Sequence, residues 1–307
     1  MNIIRLKDNF SHSELLLYIS DIEKRYNARV LNIGHSVMNR SIPAIRLGNG
    51  RKNCLYVATH HGAEWITSLV LMNFVTEYLE KEEEMYKNSE KQKIFSKLYN
   101  TYTIWVIPLL NPDGAELQRF GPDMSSPIAE RQLKMNMGSS DFSKWQANAR
   151  GVDLNHNYDE GFSEYKKIET ELDIPDGAPT KYSGRYPESE PEVSAICSLI
   201  RSFDFDLIIT LHSQGEEIYY TTGGLCLPAS FQIGKRLAKM TGYTLSEPTG
   251  TASYGGLTDW AISKMHIPSF TFECGLGENP LPPDCCFAIY ERIRAALFAA
   301  PLIRGEI

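Results

Sequence analysis

Residues 59–65 read THHGAEW and directly follow an apolar run, CLYVAT, at residues 54–59. The apolar run predicts a buried strand, and apolar side chains recur at helical spacing after Glu64. His61 and Glu64 are three residues apart, so at a strand-to-helix turn both side chains can point at one atom. An imidazole and a carboxylate suit Zn²⁺, and a third protein ligand would leave one position open for water. The HxxE spacing is common by chance, so the rest of the chain decides what it means.

The composition is that of an ordinary globular protein: 42% of the 307 residues are apolar and 22% are charged. A net charge of −7 without a basic stripe speaks against nucleic acid as a partner. No apolar run approaches the length of a membrane span. The first residues, MNIIRLKD, are charged too early for a secretory signal. Six scattered cysteines are too few for a disulfide framework. We therefore expect a cytoplasmic protein with no membrane partner.

Strands and helices alternate along the whole chain. A helix capped by Ser11 and a hairpin over residues 28–47 precede the first buried strand, and residues 111–114, NPDG, read as a turn. Residues 115–149 and 160–186 lack periodicity and read as loops. Further elements are predicted as strands at 103–109, 207–211 and 269–272, and as helices at 64–80, after 189–192, from 255–260 and at 287–298. No repeat or compositional break interrupts the pattern. It predicts a single α/β domain over residues 1–307, with a core at about 10–300 and a largely parallel sheet.

Several polar side chains fall where predicted strands end, namely His61, Asn111, His212 and Glu273. In open α/β sheets this edge is where ligands bind. A carboxylate at the end of an apolar strand seldom lacks a partner, so Glu273 is either a functional group or half of an ion pair. Taken alone, His212 could equally be a hydrogen-bonded core histidine. His60 also lies near Glu64 but lacks the spacing, so we expect it to be a neighbour of the site.

Short motifs follow one another in a fixed order: HGAEW at 61–65, NPDG at 111–114, GVDLN at 151–155, SEPE at 189–192, a lone His212, GG with DW at 255–260, and SFTFE at 269–273. From about residue 18 to about residue 298, this combination resembles the zinc carboxypeptidase A-like family. The resemblance implies a mixed, roughly eight-stranded sheet flanked by helices. It also implies hydrolysis of peptide bonds with one zinc ion per chain.

Carried over residue by residue, the resemblance implies that His61, Glu64 and His212 bind the zinc ion. Asp153 would orient His61, as metal-bound imidazoles usually require. Glu273 would be the general base, which takes a proton from the attacking water and later gives it to the leaving amine.

Three positions depart from the family's pattern. The arginine that grips a substrate's C-terminal carboxylate is replaced by His156, which cannot offer a bidentate fork. The arginine that polarises the scissile carbonyl is best matched by the uncharged Gln146. The mobile tyrosine falls on Thr251, and Tyr254 is the nearest substitute.

These departures, with WQAN at 145–148 before RGVDLN at 150–155, resemble the bacterial γ-D-glutamyl-L-diamino acid endopeptidases. Those enzymes cut murein peptides between γ-D-glutamate and meso-diaminopimelate. We expect a zinc peptidase with murein tripeptide or a related peptide as substrate. The expected substrate-binding residues are Asn155, His156, Gln146, Tyr254 and Thr258. Two alternatives stay open. One is an ordinary metallocarboxypeptidase in which Arg150 or Arg185 binds the carboxylate, and the other is a non-catalytic peptide-binding relative.

Overall fold

A computed structural model describes Lys7, residues 10–87 and residues 92–307. The prediction made from residues 1–8 therefore lies outside the described residues, Lys7 excepted. The strands are β1 (Arg29–His35), β2 (Ser41–Leu47), β3 (Lys52–Ala58), β4 (Tyr102–Ile107), β5 (Phe205–His212), β6 (Glu217–Tyr219), β7 (Thr244–Ser246) and β8 (Ser269–Glu273). The helices that follow Lys7 are α1 (His12–Tyr26), α2 (Ile66–Lys87), α3 (Lys93–Thr101), α4 (Pro112–Phe120), α5 (Ala129–Met135), α6 (Phe162–Glu171), α7 (Pro191–Ser202), α8 (Ser230–Thr241), α9 (Leu257–Ser263) and α10 (Cys286–Glu306).

The eight strands form one mixed sheet in the order β1-β2-β4-β3-β5-β8-β6-β7. The central strands β4, β3, β5 and β8 run parallel to one another. The β1–β2 hairpin pairs antiparallel with β4, and β6 pairs antiparallel with β8. The α/β class and the roughly eight-stranded sheet are confirmed. That residues 1–307 form one peptidase domain stays a prediction.

Helices cover both faces of the sheet, which explains why its central strands read as unbroken apolar runs. In β3, Tyr56 packs into the cluster that includes α2 and α10, and its hydroxyl donates to the Leu297 carbonyl at 2.7 Å. Leu55 and Val57 point the other way, toward α7 and α9. Each fully buried Leu or Val side chain contributes about 1.5–3 kcal/mol. Both faces therefore hold β3 in place and fix the position at which it ends.

The two predicted loops contain helices, so that part of the sequence prediction is wrong. Residues 115–149 include most of α4 and all of α5, and residues 160–186 include α6. The sequence NPDG starts α4, because the Asn111 side chain caps it by accepting from the Gly114 N–H at 2.8 Å. These short helices were missed because each of them buries few large apolar side chains. In α6 only Tyr165 and Glu169 are buried, which is too few to give an apolar period.

Other helices differ from their predictions mainly in length. The second helix continues through the acidic run at residues 80–84 to Lys87, and the last one extends to Glu306. The elements α3, β6, β7 and α8 were not predicted. Within the residues that the structure describes, none of the helices combines the length and hydropathy needed to cross a bilayer.

Candidate active site

The turn after β3 brings His61 and Glu64 together. Thr59 adopts a left-handed conformation, with φ of +56°, and its hydroxyl bonds to the Thr67 and Ser68 hydroxyls at 2.9 and 2.7 Å. A 3₁₀ turn over Gly62–Glu64 follows. As a result, His61 Nδ1 lies 2.9 Å from Glu64 Oε1.

His212 reaches the same carboxylate from the end of β5. Its Nδ1 lies 3.0 Å from Glu64 Oε2. One ligand atom from each of His61, Glu64 and His212 falls within 4.8 Å of the others. On its other side, His61 places Nε2 at 3.0 Å from Asp153 Oδ1. The structure thus brings together all the side chains that the sequence assigned to the metal and its support.

This donor set fits zinc. Two imidazole nitrogens and a carboxylate oxygen are typical of a catalytic zinc site with an open position. Because Asp153 accepts from His61 Nε2–H, it leaves Nδ1 free to ligate. Burial lowers the pKa of His61, but the Glu64 and Asp153 carboxylates raise it well above its usual range. Burial opposes ionisation of Glu64 too, yet the two histidines hold its pKa at about 2. The carboxylates are therefore arranged for a positive charge.

His60 is held apart from this group. It is fully buried, and its Nε2 lies 3.0 Å from the Tyr158 hydroxyl. Its ring stacks on that of His212, with centroids 5.3 Å apart. Burial, followed by the nearby charges of His212 and His61, holds the pKa of His60 well below its usual range. A neutral, hydrogen-bonded ring supports the wall behind His212.

Glu273 ends β8 directly beside His212, its partner in the parallel register. Both side chains line one cavity with His61 and Glu64. Burial, with the Glu64 carboxylate adding to it, raises the pKa of Glu273 to about 7. A bound cation would favour the ionised form and lower this value. An ionisable carboxylate in a cavity beside a metal group is suited to moving a proton.

Gln146 also lines the cavity, and its amide is oriented by hydrogen bonds. Its Oε1 accepts from the Thr180 hydroxyl at 2.6 Å, which leaves the Nε2 protons available. Its carbonyl accepts from the Gly62 N–H at 2.8 Å. Gln146 is therefore attached to the turn that carries the metal group, and it presents a neutral donor where the family pattern has a cation.

His156 is a neutral acceptor. Its Nδ1 lies 3.0 Å from the Tyr254 carbonyl, which can only accept, so the proton is on Nδ1. The ring stacks on Tyr165, with centroids 3.8 Å apart at 13°. Burial lowers the pKa of His156, although the Asp153 carboxylate opposes this. Its Nε2 makes no hydrogen bond to the described residues and is left to accept one in the cavity that His156 lines.

Thr258 and Thr271 line the same cavity, and their hydroxyls form a cluster with that of the buried Thr210. Thr271 Oγ1 lies 2.8 Å from Thr258 Oγ1 and 3.0 Å from Thr210 Oγ1. Asp259 lies beside them, and burial raises its pKa to about 6. Thr258 was predicted from the sequence, whereas Thr271, which lines the cavity, and Thr210, which bonds to it, were not. They precede His212 and Glu273 by two residues, so the two-residue period of a strand could have revealed them.

Not every predicted residue reaches the cavity. Asn155 lines it, but the side chain of Tyr254 does not, so that expectation is corrected. Tyr254 has φ of +70°, and its ring packs against Gly161 on a separate surface cavity. Arg150 and Arg185 line a third cavity, where Arg150 lies 3.5 Å from Glu190. Neither arginine is placed to bind a substrate carboxylate at the metal group.

Comparison with known proteins agrees with this geometry. Residues 16–287 match the sequence model of the zinc carboxypeptidases. The chain belongs to the zinc carboxypeptidase family. It is a zinc-dependent hydrolase that acts on peptides, which confirms the predicted family, cofactor and enzyme class. The non-catalytic alternative is accordingly set aside.

Individual zinc carboxypeptidase relatives cover most of the chain. Gamma-D-glutamyl-L-diamino acid endopeptidase 1 of Lysinibacillus sphaericus is 32% identical over 291 residues, which span 94% of this chain and 71% of that protein. Carboxypeptidase A from Helicoverpa armigera has a similar fold, with a TM-score of 0.73 and 20% identity over 96% of this chain and 73% of that one. Murein-tripeptide amidase MpaA from Escherichia coli O157 gives a TM-score of 0.51 and 18% identity, over 90% and 91% of the two chains.

Proposed function

We propose that this enzyme hydrolyses the bond between γ-D-glutamate and meso-diaminopimelate in murein peptides. The observation that carries the proposal is the neutral His156, whose Nε2 makes no hydrogen bond to the described residues, in a cavity that Thr258, Thr271 and Asp259 also line. This lining suits a long, polar, zwitterionic side chain better than an apolar or purely basic one. The 32% identity to a γ-D-glutamyl-L-diamino acid endopeptidase supports the same substrate.

We assign the metal to His61, Glu64 and His212, with Asp153 holding His61 in the ligating tautomer. When bound there, zinc supplies a Lewis acid that activates water and polarises the scissile carbonyl. Glu273 takes the proton from the attacking water and delivers it to the departing amine. The Nε2 protons of Gln146 are assigned to the carbonyl oxygen, where negative charge develops.

Diaminopimelate carries an amino group and a carboxyl group at the far end of its side chain. We assign its ammonium to Asp259 and to the Nε2 acceptor of His156, and its carboxylate to the threonine hydroxyls and the Asn155 amide. The Asn155 side chain is oriented for this, since its Oδ1 accepts from the Leu257 N–H at 3.3 Å and leaves its amide protons available. An ordinary C-terminal residue offers at most one of these two distal groups.

The test is a comparison of kcat/KM for L-Ala-γ-D-Glu-meso-diaminopimelate with that for an N-blocked, α-linked dipeptide that has a free C-terminus. A third substrate, with L-lysine in place of diaminopimelate, retains the distal ammonium and removes the distal carboxylate. We expect the rates to fall in the order diaminopimelate, lysine, α-linked dipeptide. A preference for the α-linked dipeptide would show that the enzyme is an ordinary metallocarboxypeptidase.

A further inference from the structure

Among the described residues, four that line the catalytic cavity carry carboxyl groups, namely Glu64, Asp153, Asp259 and Glu273. Glu64 belongs to the metal group and Asp153 bonds to His61, so these two carboxylates already have partners. A peptide that brings its own carboxylate still approaches Asp259 and Glu273, and like charges in a buried site repel. The arginine that offsets this repulsion elsewhere in the family is absent at position 156. Another cation is needed if the substrate carries a carboxylate close to the scissile bond.

Lys181 is the only lysine or arginine among the described residues that line this cavity. Within the same described part of the chain, its side chain forms no ion pair, hydrogen bond or cation–π contact. Three other cations, within about 40 residues of Lys181 in the sequence, are paired or line another cavity. Lys144 lies 2.6 Å from Glu278, and Arg150 and Arg185 line a different cavity. Lys181 is thus a half-buried cation that has no counter-ion among the residues the structure describes.

The main chain around Lys181 is fixed to the metal group. Its N–H donates to Asp153 Oδ2 at 2.9 Å, and the next carbonyl, that of Tyr182, accepts from the Asp153 N–H at 2.7 Å. The Tyr165 hydroxyl donates to the Lys181 carbonyl at 3.2 Å. These contacts hold Lys181 at φ of +67°, a conformation that few non-glycine residues adopt. The backbone is anchored on both sides, whereas the ammonium is left for a ligand.

We propose that Lys181 binds a carboxylate of the substrate and takes over the charge role of the missing arginine. The inference rests on the proposed peptide substrate, which offers two carboxylates near the scissile bond. One is the α-carboxylate of diaminopimelate, and the other is the free α-carboxylate that a γ-linked glutamate retains. A lysine acts as a mobile point charge and does not impose the fixed fork of an arginine. A lysine can therefore adapt to a carboxylate on either side of the scissile bond.

The test uses three substrates and three variants of the full chain. The substrates are the murein tripeptide, the same peptide with the glutamate α-carboxylate as an amide, and the same peptide with the diaminopimelate α-carboxylate as an amide. The variants are Lys181→Met, Lys181→Arg and the control Lys167→Met. Lys167 is exposed on α6 and does not line the cavity. Removing it deletes an equal charge from the same side of the molecule.

For the tripeptide, Lys181→Met should lower kcat/KM by about 10- to 100-fold, the usual size of a charge-assisted contact, mainly through KM. Lys181→Arg should retain most of the activity, and Lys167→Met should match the wild type. One of the two amide substrates should be cut equally by the wild type and by Lys181→Met. That substrate identifies the carboxylate that Lys181 binds. If Lys181→Met lowers kcat/KM equally for all three substrates, or lowers it for none of them, the inference is wrong.

Zinc content and the thermal midpoint of each variant separate a binding defect from a damaged loop. If Lys181→Met folds poorly, Lys181→Gln, which retains a polar side chain, replaces it in the same comparison. If the wild type does not cut the tripeptide, the proposed function fails. Lys181 is then judged with a blocked dipeptide acid and its amide. If the wild type prefers the acid to the amide in kcat/KM and Lys181→Met does not, the inference is still supported. If Lys181→Met keeps the same preference, the inference is refuted.

Discussion

His212 and Glu273 pair directly across the parallel strands β5 and β8. The end of β5 therefore carries a proposed metal ligand, and the end of the adjacent strand β8 carries the proposed base at the same level along the sheet. Buried side chains on both faces hold these strands, so the separation of the two groups is set by the sheet register. A one-residue slip would turn Glu273 to the opposite face.

The metal assignment predicts that the purified protein carries about one zinc ion per chain, as this ligand set implies. His212→Ala should lose the zinc because it removes one of three protein ligands. His60→Ala should retain it, since His60 bonds to Tyr158 and lies outside the ligand group. Metal analysis after gel filtration measures both. Equal zinc retention in the two variants would show that the ligands are assigned incorrectly.

The role of the base predicts that Glu273→Gln lowers kcat by roughly two to four orders of magnitude, the usual scale for general acid–base catalysis. Folding and zinc content should stay near those of the wild type, since Glu273 is not among the proposed ligands. The rate in the wild type should rise with pH as the carboxyl group ionises, and the variant should lose this acid limb. Near-normal turnover in Glu273→Gln would mean that another residue moves the proton.

The neutral state of His156 predicts a change of specificity in His156→Arg. An arginine there restores a bidentate donor for a C-terminal carboxylate and removes the Nε2 acceptor assigned to the distal ammonium. The ratio of kcat/KM for the tripeptide to that for the α-linked dipeptide should fall by at least about tenfold, the value of one strong hydrogen bond. His156→Gln, which keeps the residue neutral, serves as the control. A ratio that is unchanged in His156→Arg would remove His156 from substrate recognition.

A buried carboxyl away from the active site predicts how stability depends on pH. Glu192 is fully buried, and its Oε1 accepts from the Val37 N–H at 3.1 Å. Burial, with the Asp113 carboxylate adding to it, raises the pKa of Glu192 to about 8. In the unfolded chain a glutamate ionises near pH 4.3. Between these values the folded protein holds the proton and the unfolded chain has lost it. The stabilisation present at low pH should therefore decline as the pH rises toward about 8.

Glu192→Gln fixes this side chain in a neutral form. The variant should match the wild type near pH 5 and exceed it in stability above pH 8, where the wild type has to bury a charge. Thermal unfolding midpoints measured from pH 5 to pH 9 test this. Parallel curves for the two proteins would mean that Glu192 is already ionised at neutral pH in the fold.

Motifs at strand ends were the parts of the site that could be predicted from sequence. The buried strands are clear apolar runs in the sequence. His61, His212 and Glu273 stand where those runs end, so their positions could be predicted. Lys181 was missed because it stands in a stretch read as loop, TKYS at residues 180–183, with no spacing to a known partner. Its place in the cavity depends on two hydrogen bonds to Asp153, which is nearly thirty residues earlier in the chain.

The expectation that the Tyr254 side chain binds substrate was not met, for a different reason. Its place beside Gly255 in a family motif favoured a role in substrate binding, but the direction of a side chain depends on its backbone angles. At φ of +70° its ring turns toward Gly161, and only its carbonyl reaches the site, through His156. Residue type and order could be read from the chain, whereas a left-handed conformation at a non-glycine residue could not.

Asp153 connects the proposed metal site to the proposed carboxylate site. One of its oxygens accepts from His61, and the other accepts from the N–H of Lys181. A cation that fixes His61 also steadies Asp153 and the loop that carries the ammonium. The two equilibria are then linked, and linkage is reciprocal. If bound zinc raises the affinity for a substrate carboxylate by some factor, the bound carboxylate raises the affinity for zinc by the same factor. The enzyme without substrate would therefore release its metal more readily than the enzyme with substrate bound.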